Sequence, residues 1–139
     1  MLSVLIVNWN TCGLLRSCLR SIENFPPDCP IEVIVVDNDS TDGSTQMVQD
    51  EFPSVKLVKP GRNTGYAAGN NLAFKEAQGL WLLTLNPDTE VYADTFQQAI
   101  SEIQSRPAFG VLGAKQIGLD GNVQRSIRGF PTFWGILGD

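Results

Sequence analysis

Residues 32–44 read E-V-I-V-V-D-N-D-S-T-D-G-S, from Glu32 to Ser44. Val33, Ile34, Val35 and Val36 are four successive β-branched residues. A run of this kind, without polar alternation, marks a strand covered on both faces, as in a parallel sheet flanked by helices. Asp37 ends the run, and the small polar residues after it turn the chain toward a helix. In open α/β sheets ligands bind outside the carboxyl ends of the strands, where strand-to-helix turns surround a crevice. Asp37 and Asp39 are therefore expected at that edge.

Working outward, the same alternation recurs on both sides. Leu2 to Val7 reads as a first strand, followed by a helix over Cys12 to Asn24 that Asn10 or Thr11 can cap. Leu15, Cys18, Leu19 and Ile22 recur at helical spacing, so one face of that helix packs on the sheet. After the central stretch, Ser40 or Asp42 is expected to cap a helix from Gly43 to Phe52, which Pro53 closes. Val55 to Val58 is a third strand, and Arg62 to Gly79 a helix with Gly79 as its stop. Leu80 to Leu85 is apolar nearly throughout and is expected in the centre of the sheet. Ala93 to Gln104 is an amphipathic helix, Phe109 to Lys115 a further strand, and Asp120-Gly121 the turn of a hairpin between Lys115 to Gly118 and Val123 to Ile127. The predicted fold class is α/β, a mainly parallel sheet sandwiched by helices.

Composition limits what such a domain does. The chain has 139 residues, 42% of them hydrophobic, enough for one globular domain with a core. A net charge of −5 with scattered Lys and Arg argues against a nucleic-acid partner. The absence of histidine excludes Ser-His-Asp and Cys-His nucleophiles, leaving carboxylates, amides and an oxygen-bound metal. Cys12, Cys18 and Cys29 are odd in number and lack zinc-site spacing, as expected of reduced thiols. There is neither a basic leader nor a run of the ~20 apolar residues that cross a bilayer, so a cytoplasmic location is expected.

Three clusters carry chemistry. Asp37 and Asp39, one residue apart, suit the N–H groups of a nucleobase and the hydroxyls of its ribose. The alternative is that Asp37 accepts local amides in an Asx turn; for Asp42 a capping role is the preferred reading. Asn86-Pro87-Asp88 delivers a second carboxylate at a strand end, suited to a hard divalent cation that takes its other ligands from phosphates and water. Gly65, Gly69, Asn70 and Asn71 crowd a helix start where a pyrophosphate or ribose can approach, although close packing on the sheet would also select Gly and Ala there. Arg62 is the nearest cation.

In this order, V-L-I-V-N-W-N, V-V-D-N-D-S-T-D-G-S, N-T-G-Y-A-A-G-N-N and L-N-P-D-T-E-V resemble the motifs of family 2 glycosyltransferases of the Rossmann-like GT-A fold, in particular rhamnosyltransferase-like members. The resemblance implies transfer of a sugar, such as rhamnose, from a dTDP- or UDP-sugar donor to a glycan or lipid-linked acceptor. Inversion at the anomeric carbon and a place in cell-envelope polysaccharide synthesis are part of the same implication. Carried over by motif, Val7 and Trp9 would line the nucleotide pocket, with Asp37 and Asp39 near base and ribose. Asn63, Gly65 and Asn70 would flank the nucleoside and Asp88 would ligate Mg or Mn, with Arg62, the cation nearest that turn, and Asn86 as further donor-binding residues. The family's Asp-x-Asp is here Asn86-Pro87-Asp88, which leaves one firm protein ligand for the cation.

Residues 1–128 are expected to form this donor-binding domain and residues 129–139 an apolar tail leading to a missing acceptor portion. The family's general base is expected beyond Asp139, so no catalytic base is assigned here. Phe130, Phe133, Trp134, Ile136 and Leu137 make the tail a candidate for homodimerisation or for folding back on the core. The full-length form is expected to act peripherally at the inner face of the membrane. The rival reading is a non-catalytic nucleotide-, sugar- or partner-binding module. A nucleotidyltransferase is disfavoured, because Asn8-Trp9-Asn10-Thr11 holds no glycine-rich loop with a basic residue.

Overall fold

A computed structural model describes residues 1–124. The chain alternates strictly between strand and helix: β1 (Leu2–Asn8), α1 (Cys12–Asn24), β2 (Ile31–Asp37), α2 (Ser44–Glu51), β3 (Lys56–Val58), α3 (Tyr66–Glu76), β4 (Trp81–Leu85) and α4 (Thr95–Ser105). The four strands form one parallel sheet in the order β3-β2-β1-β4. β1 is central and entirely buried, its apolar residues interrupted only by Ser3 before it ends on Asn8. Asn8 stands beside Asp37 in the register, so the β1 and β2 ends are level.

Side chains alternate between the two faces of the sheet. Leu2, Val4 and Ile6 of β1, Val35 of β2 and Leu85 of β4 join Leu15, Leu19, Met47, Val48, Phe52 and Phe96 in one core beneath α1, α2 and α4. Leu5, Ile34 and Val36 meet Ala73 and Leu72 of α3 on the other face. The α/β expectation with helices on both faces is therefore met.

Four local expectations need correction. β4 is an edge strand among the described residues rather than a central one. α3 packs mainly on β1 and β2, which leaves Leu82 44% exposed on the face it does not reach. The helix expected from Arg62 begins only at Tyr66, because Gly65 holds φ at +78° just before it. That helix ends at Glu76, so Gly79 is no left-handed stop. Gly79 is required instead because a Cβ there would lie 2.7 Å from the backbone nitrogen of Ser3. Phe109 to Lys115 forms no strand and is exposed throughout.

The chain divides into two compact units, residues 1–102 and 103–139. Within the described part of the second, the Asp120-Gly121 turn forms as expected, with one antiparallel bridge between Ile117 and Val123. The rest of the hairpin's second arm, the boundary expected at residue 128 and the apolar tail lie outside the described residues. No helix among the described residues is long and apolar enough to cross a membrane.

Candidate functional site

The carboxyl ends of β1, β2 and β4 lie side by side, and three turns rise from them. Two strand spacings, about 10 Å, separate the ends of β2 and β4 across β1. The β1–α1 and β2–α2 turns are sewn together by side chains. Asn8 Nδ2 donates to Asp37 Oδ1 at 2.8 Å and to Ser40 Oγ at 3.1 Å. The Ser40 N–H closes on Asp37 Oδ2 at 2.9 Å, and Ser40 Oγ accepts the Asn10 N–H. Asn10 Oδ1 in return accepts the Thr41 N–H.

Asp37 is only 3% exposed, and each of its oxygens accepts a protein hydrogen bond. One of these is a local bond from the amide three residues on, not the i+2 amide of an Asx turn, and the other comes from the neighbouring strand. Asp39 follows in a left-handed conformation, φ +66°, and its side chain is exposed. Val7 is buried under Gly69 of α3, where an added Cβ would come within 2.8 Å of Val7 Cγ1. Trp9, one step beyond the sheet, is 57% exposed.

Asp42 takes the capping role, but not only in its own loop. Oδ1 accepts from the N–H and hydroxyl of Ser44 at the start of α2, while Oδ2 accepts the Cys12 N–H at the start of α1. Of the two residues expected to cap α1, Thr11 instead donates its hydroxyl to Asn8 Oδ1 and Asn10 Oδ1 is taken by Thr41. Desolvation pushes the Asp42 carboxyl up, yet the bonds from Ser44 and Cys12 outweigh it and hold the group below its usual value.

Asn38 had no role in the reading of the sequence, and it is central here. Buried beside Asp37, it donates to Gly65 O at 3.2 Å and accepts from Thr64 Oγ1 at 2.9 Å, fastening the turn before α3 to the end of β2. The Gly65 N–H donates to Asn63 Oδ1 within that turn, and Asn70 Nδ2 donates to Tyr66 O along the helix. Arg62 is exposed at the turn and forms no ion pair among the described residues. The signal available for Asn38 was an amide directly after a strand-ending acid.

On the far side of β1, Asn86 and Asp88 are exposed in the turn after β4. The Thr89 N–H closes that turn on Asn86 O. Beneath it lies Cys18 of α1, fully buried, its thiol 3.8 Å from the same carbonyl. Burial, reinforced by the charges of Asp88 and Glu90, pushes the Cys18 thiol up to about 12, so it stays protonated. The Asp88 carboxylate makes no hydrogen bond or ion pair among the described residues, which leaves a hard oxygen donor open at a strand end. No group of three or more His, Cys, Asp or Glu among the described residues would hold a metal unaided.

The chain is similar to several proteins of known name. It is 26% identical over 143 residues to N-acetylglucosaminyl-diphospho-decaprenol L-rhamnosyltransferase of Mycobacterium tuberculosis, covering 95% of this chain and 46% of that one. In structure it resembles S. aureus TarS 1-349 in complex with UDP-GlcNAc, with a TM-score of 0.67 and 27% identity over 76% of this chain and 32% of that chain. It also resembles the mannosyltransferase PcManGT of Pyrobaculum calidifontis in complex with GDP-Man and Mn2+, with a TM-score of 0.66 and 28% identity over 73% of this chain and 32% of that chain. The chain thus spans about half the length of the curated rhamnosyltransferase and about a third of these structures. Residues 3–137 match the model of Glycosyl transferase family 2, and with its strand-end motifs on one edge of a parallel sheet the chain belongs to that family.

Proposed function

We propose that this chain is the donor-binding part of an inverting glycosyltransferase that takes a nucleoside diphosphate sugar together with a divalent cation. The observation that carries the reading is the placement of the Asp37–Asp39 turn and the exposed Asp88 turn on either side of β1, on one sheet edge. The nucleoside lies on the β2 side, with Val7 and Asp37 forming its floor and Trp9, Asp39, Asn63, Gly65 and Asn70 around it. Arg62 stands on the same β2 side, and the diphosphate extends across β1 toward Asn86 and Asp88. Relatives whose structures hold UDP-GlcNAc, or GDP-Man with Mn2+, support a nucleotide-sugar donor.

Charge supports the cation. Asp37, Asp39, Asp88 and Glu90 make this edge acidic, so a diphosphate is repelled unless positive charge accompanies it. Asp88 fits Mg or Mn as a single carboxylate, the remaining ligands being phosphate oxygens and water. A cation held by Asp88 would supply positive charge to the diphosphate leaving group. The chain's own contribution is to orient the donor between two tethered turns. The acceptor in this reading is a glycan or lipid-linked chain, as the rhamnosyltransferase relative supports.

The test is calorimetric titration of the chain with UDP and dTDP, each with and without Mg or Mn. Metal-dependent binding is expected. A folded chain that binds neither nucleotide under any of these conditions refutes the donor-site reading and favours a partner-binding module.

A further inference from the structure

Two buried groups of α1 are spent on the segment that carries Asp88. Ser21 lies on the face of α1 that enters the core and is buried. Its hydroxyl donates to Cys18 O, one turn back in the helix, at 2.7 Å. That leaves the oxygen's lone pairs facing outward, and one accepts the Val91 N–H at 3.0 Å. Three residues earlier in α1, the Cys18 thiol meets Asn86 O. The segment from Asn86 to Val91 is thus tied to α1 at both ends, and Asp88 projects between the ties.

We propose that Ser21 is a positioning residue for Asp88, with Cys18 as the second tie, and that α1 thereby sets the geometry in which the carboxylate meets a cation and diphosphate. The inference rests on the donor-site reading above. The segment closes on itself only through the turn bond from Thr89 N–H to Asn86 O. A carboxylate in such a turn samples many orientations unless both flanks are held, and ligand preorganisation of this kind is worth roughly 10- to 100-fold in metal affinity. Ser21 does this from beneath the sheet edge, without reaching the ligand. The nucleoside turns hang from Asn8, Asp37, Asn38 and Ser40 and are independent of this tether.

That independence defines the test: nucleoside diphosphate affinity, measured by calorimetry with and without Mn2+, for the wild-type chain, Ser21→Ala, Ser21→Thr and Asp88→Ala. UDP, dTDP and GDP are the probes, because the base is unassigned. The wild-type chain is expected to gain affinity on adding Mn2+. Ser21→Ala should lose roughly tenfold or more of that gain while its metal-free affinity stays at the wild-type value, and Ser21→Thr, which keeps the hydroxyl, should restore it. A Mn2+ gain unchanged in Ser21→Ala overturns the positioning role but leaves the donor site standing. An equal loss with and without Mn2+ also overturns it, since that is the mark of a merely structural serine. No Mn2+ gain in a wild-type chain that still binds nucleotide overturns the assignment of a cation to Asp88, and this inference falls with it; no binding of any nucleotide overturns the donor-site reading as well. Should Ser21→Ala fail to fold, Cys18→Ala releases the other end of the segment and is judged by the same split.

Discussion

Asp42 Oδ2 accepts the backbone N–H of Cys12, thirty residues earlier in the chain, at 2.7 Å. The same carboxylate caps its own helix through Ser44, so one side chain serves the amino ends of both α1 and α2. Unpaired N–H groups at a helix start attract a carboxylate, and here two starts share one.

Asp42→Ala should therefore destabilise the fold by about 1 kcal/mol, the usual cost of a lost cap, measured by urea denaturation at neutral pH. The effect should depend on pH in a defined direction. The folded carboxyl titrates below its unfolded value of about 3.9, so the contribution is complete above that value and fades as pH falls through the lower, folded one. The stability gap between wild type and Asp42→Asn should close on going from about pH 6 to about pH 2. A gap that persists in acid means that the carboxylate's charge is not what stabilises the loop.

Gly69→Ala and Gly79→Ala should differ in cost although both glycines are tightly enclosed. At Gly69 the new methyl meets Val7 Cγ1 at 2.8 Å, a side chain able to shift, which predicts a loss of about 1–3 kcal/mol. At Gly79 it meets the Ser3 nitrogen at 2.7 Å, within the central strand, and the Gly79 N–H that donates to Ser3 Oγ is displaced with it. Thermal unfolding should rank Gly79→Ala as the more damaging substitution.

Asp88→Ala should leave stability within about 0.5 kcal/mol of wild type, because the side chain is exposed and unpartnered among the described residues. It should nevertheless remove the metal-dependent part of nucleotide binding. Unchanged divalent-dependent affinity, read by calorimetry, would sink the assignment of Asp88 to the cation.

Cys18 should be the last thiol to react. At about pH 8 a thiol reagent should modify Cys12 and Cys29, which are partly exposed, and reach Cys18 only on unfolding. The same raised value makes the fold less stable in alkali: the unfolded thiol ionises above about pH 8.5 while the folded one holds its proton until about 12. Mass spectrometry of partly labelled chains checks the order, and early labelling of Cys18 would mean that the segment over it opens readily.

Periodicity sufficed for the layers because it reports burial directly. The unbroken run Val33 to Val36 became a strand with its last three residues buried, and the spacing of Leu15, Cys18, Leu19 and Ile22 became the core face of α1. It misled where composition and environment part company. Leu80 to Leu85 is apolar enough for a central strand, yet among the described residues β4 lies at the edge with Leu82 exposed, since apolar residues also occur where a helix does not cover the sheet. Gly79 looked like a helix stop because sequence position cannot distinguish a glycine needed for its φ from one needed for its missing Cβ.

For the candidate site the division falls between residue type and partner. The sequence by itself determined that acids and amides end β1, β2 and β4, and that those ends share one edge, because strand length and alternation follow from local chemistry. Only the tertiary structure decided what each group does there. Asp37 binds Asn8 across the sheet, Asp42 caps a helix of another loop, Asn38 holds the turn before α3, and Ser21 reaches Val91. Each of these partners is 27 or more residues away in sequence, and a hydrogen bond at that separation exists only once the sheet has brought its strand ends together.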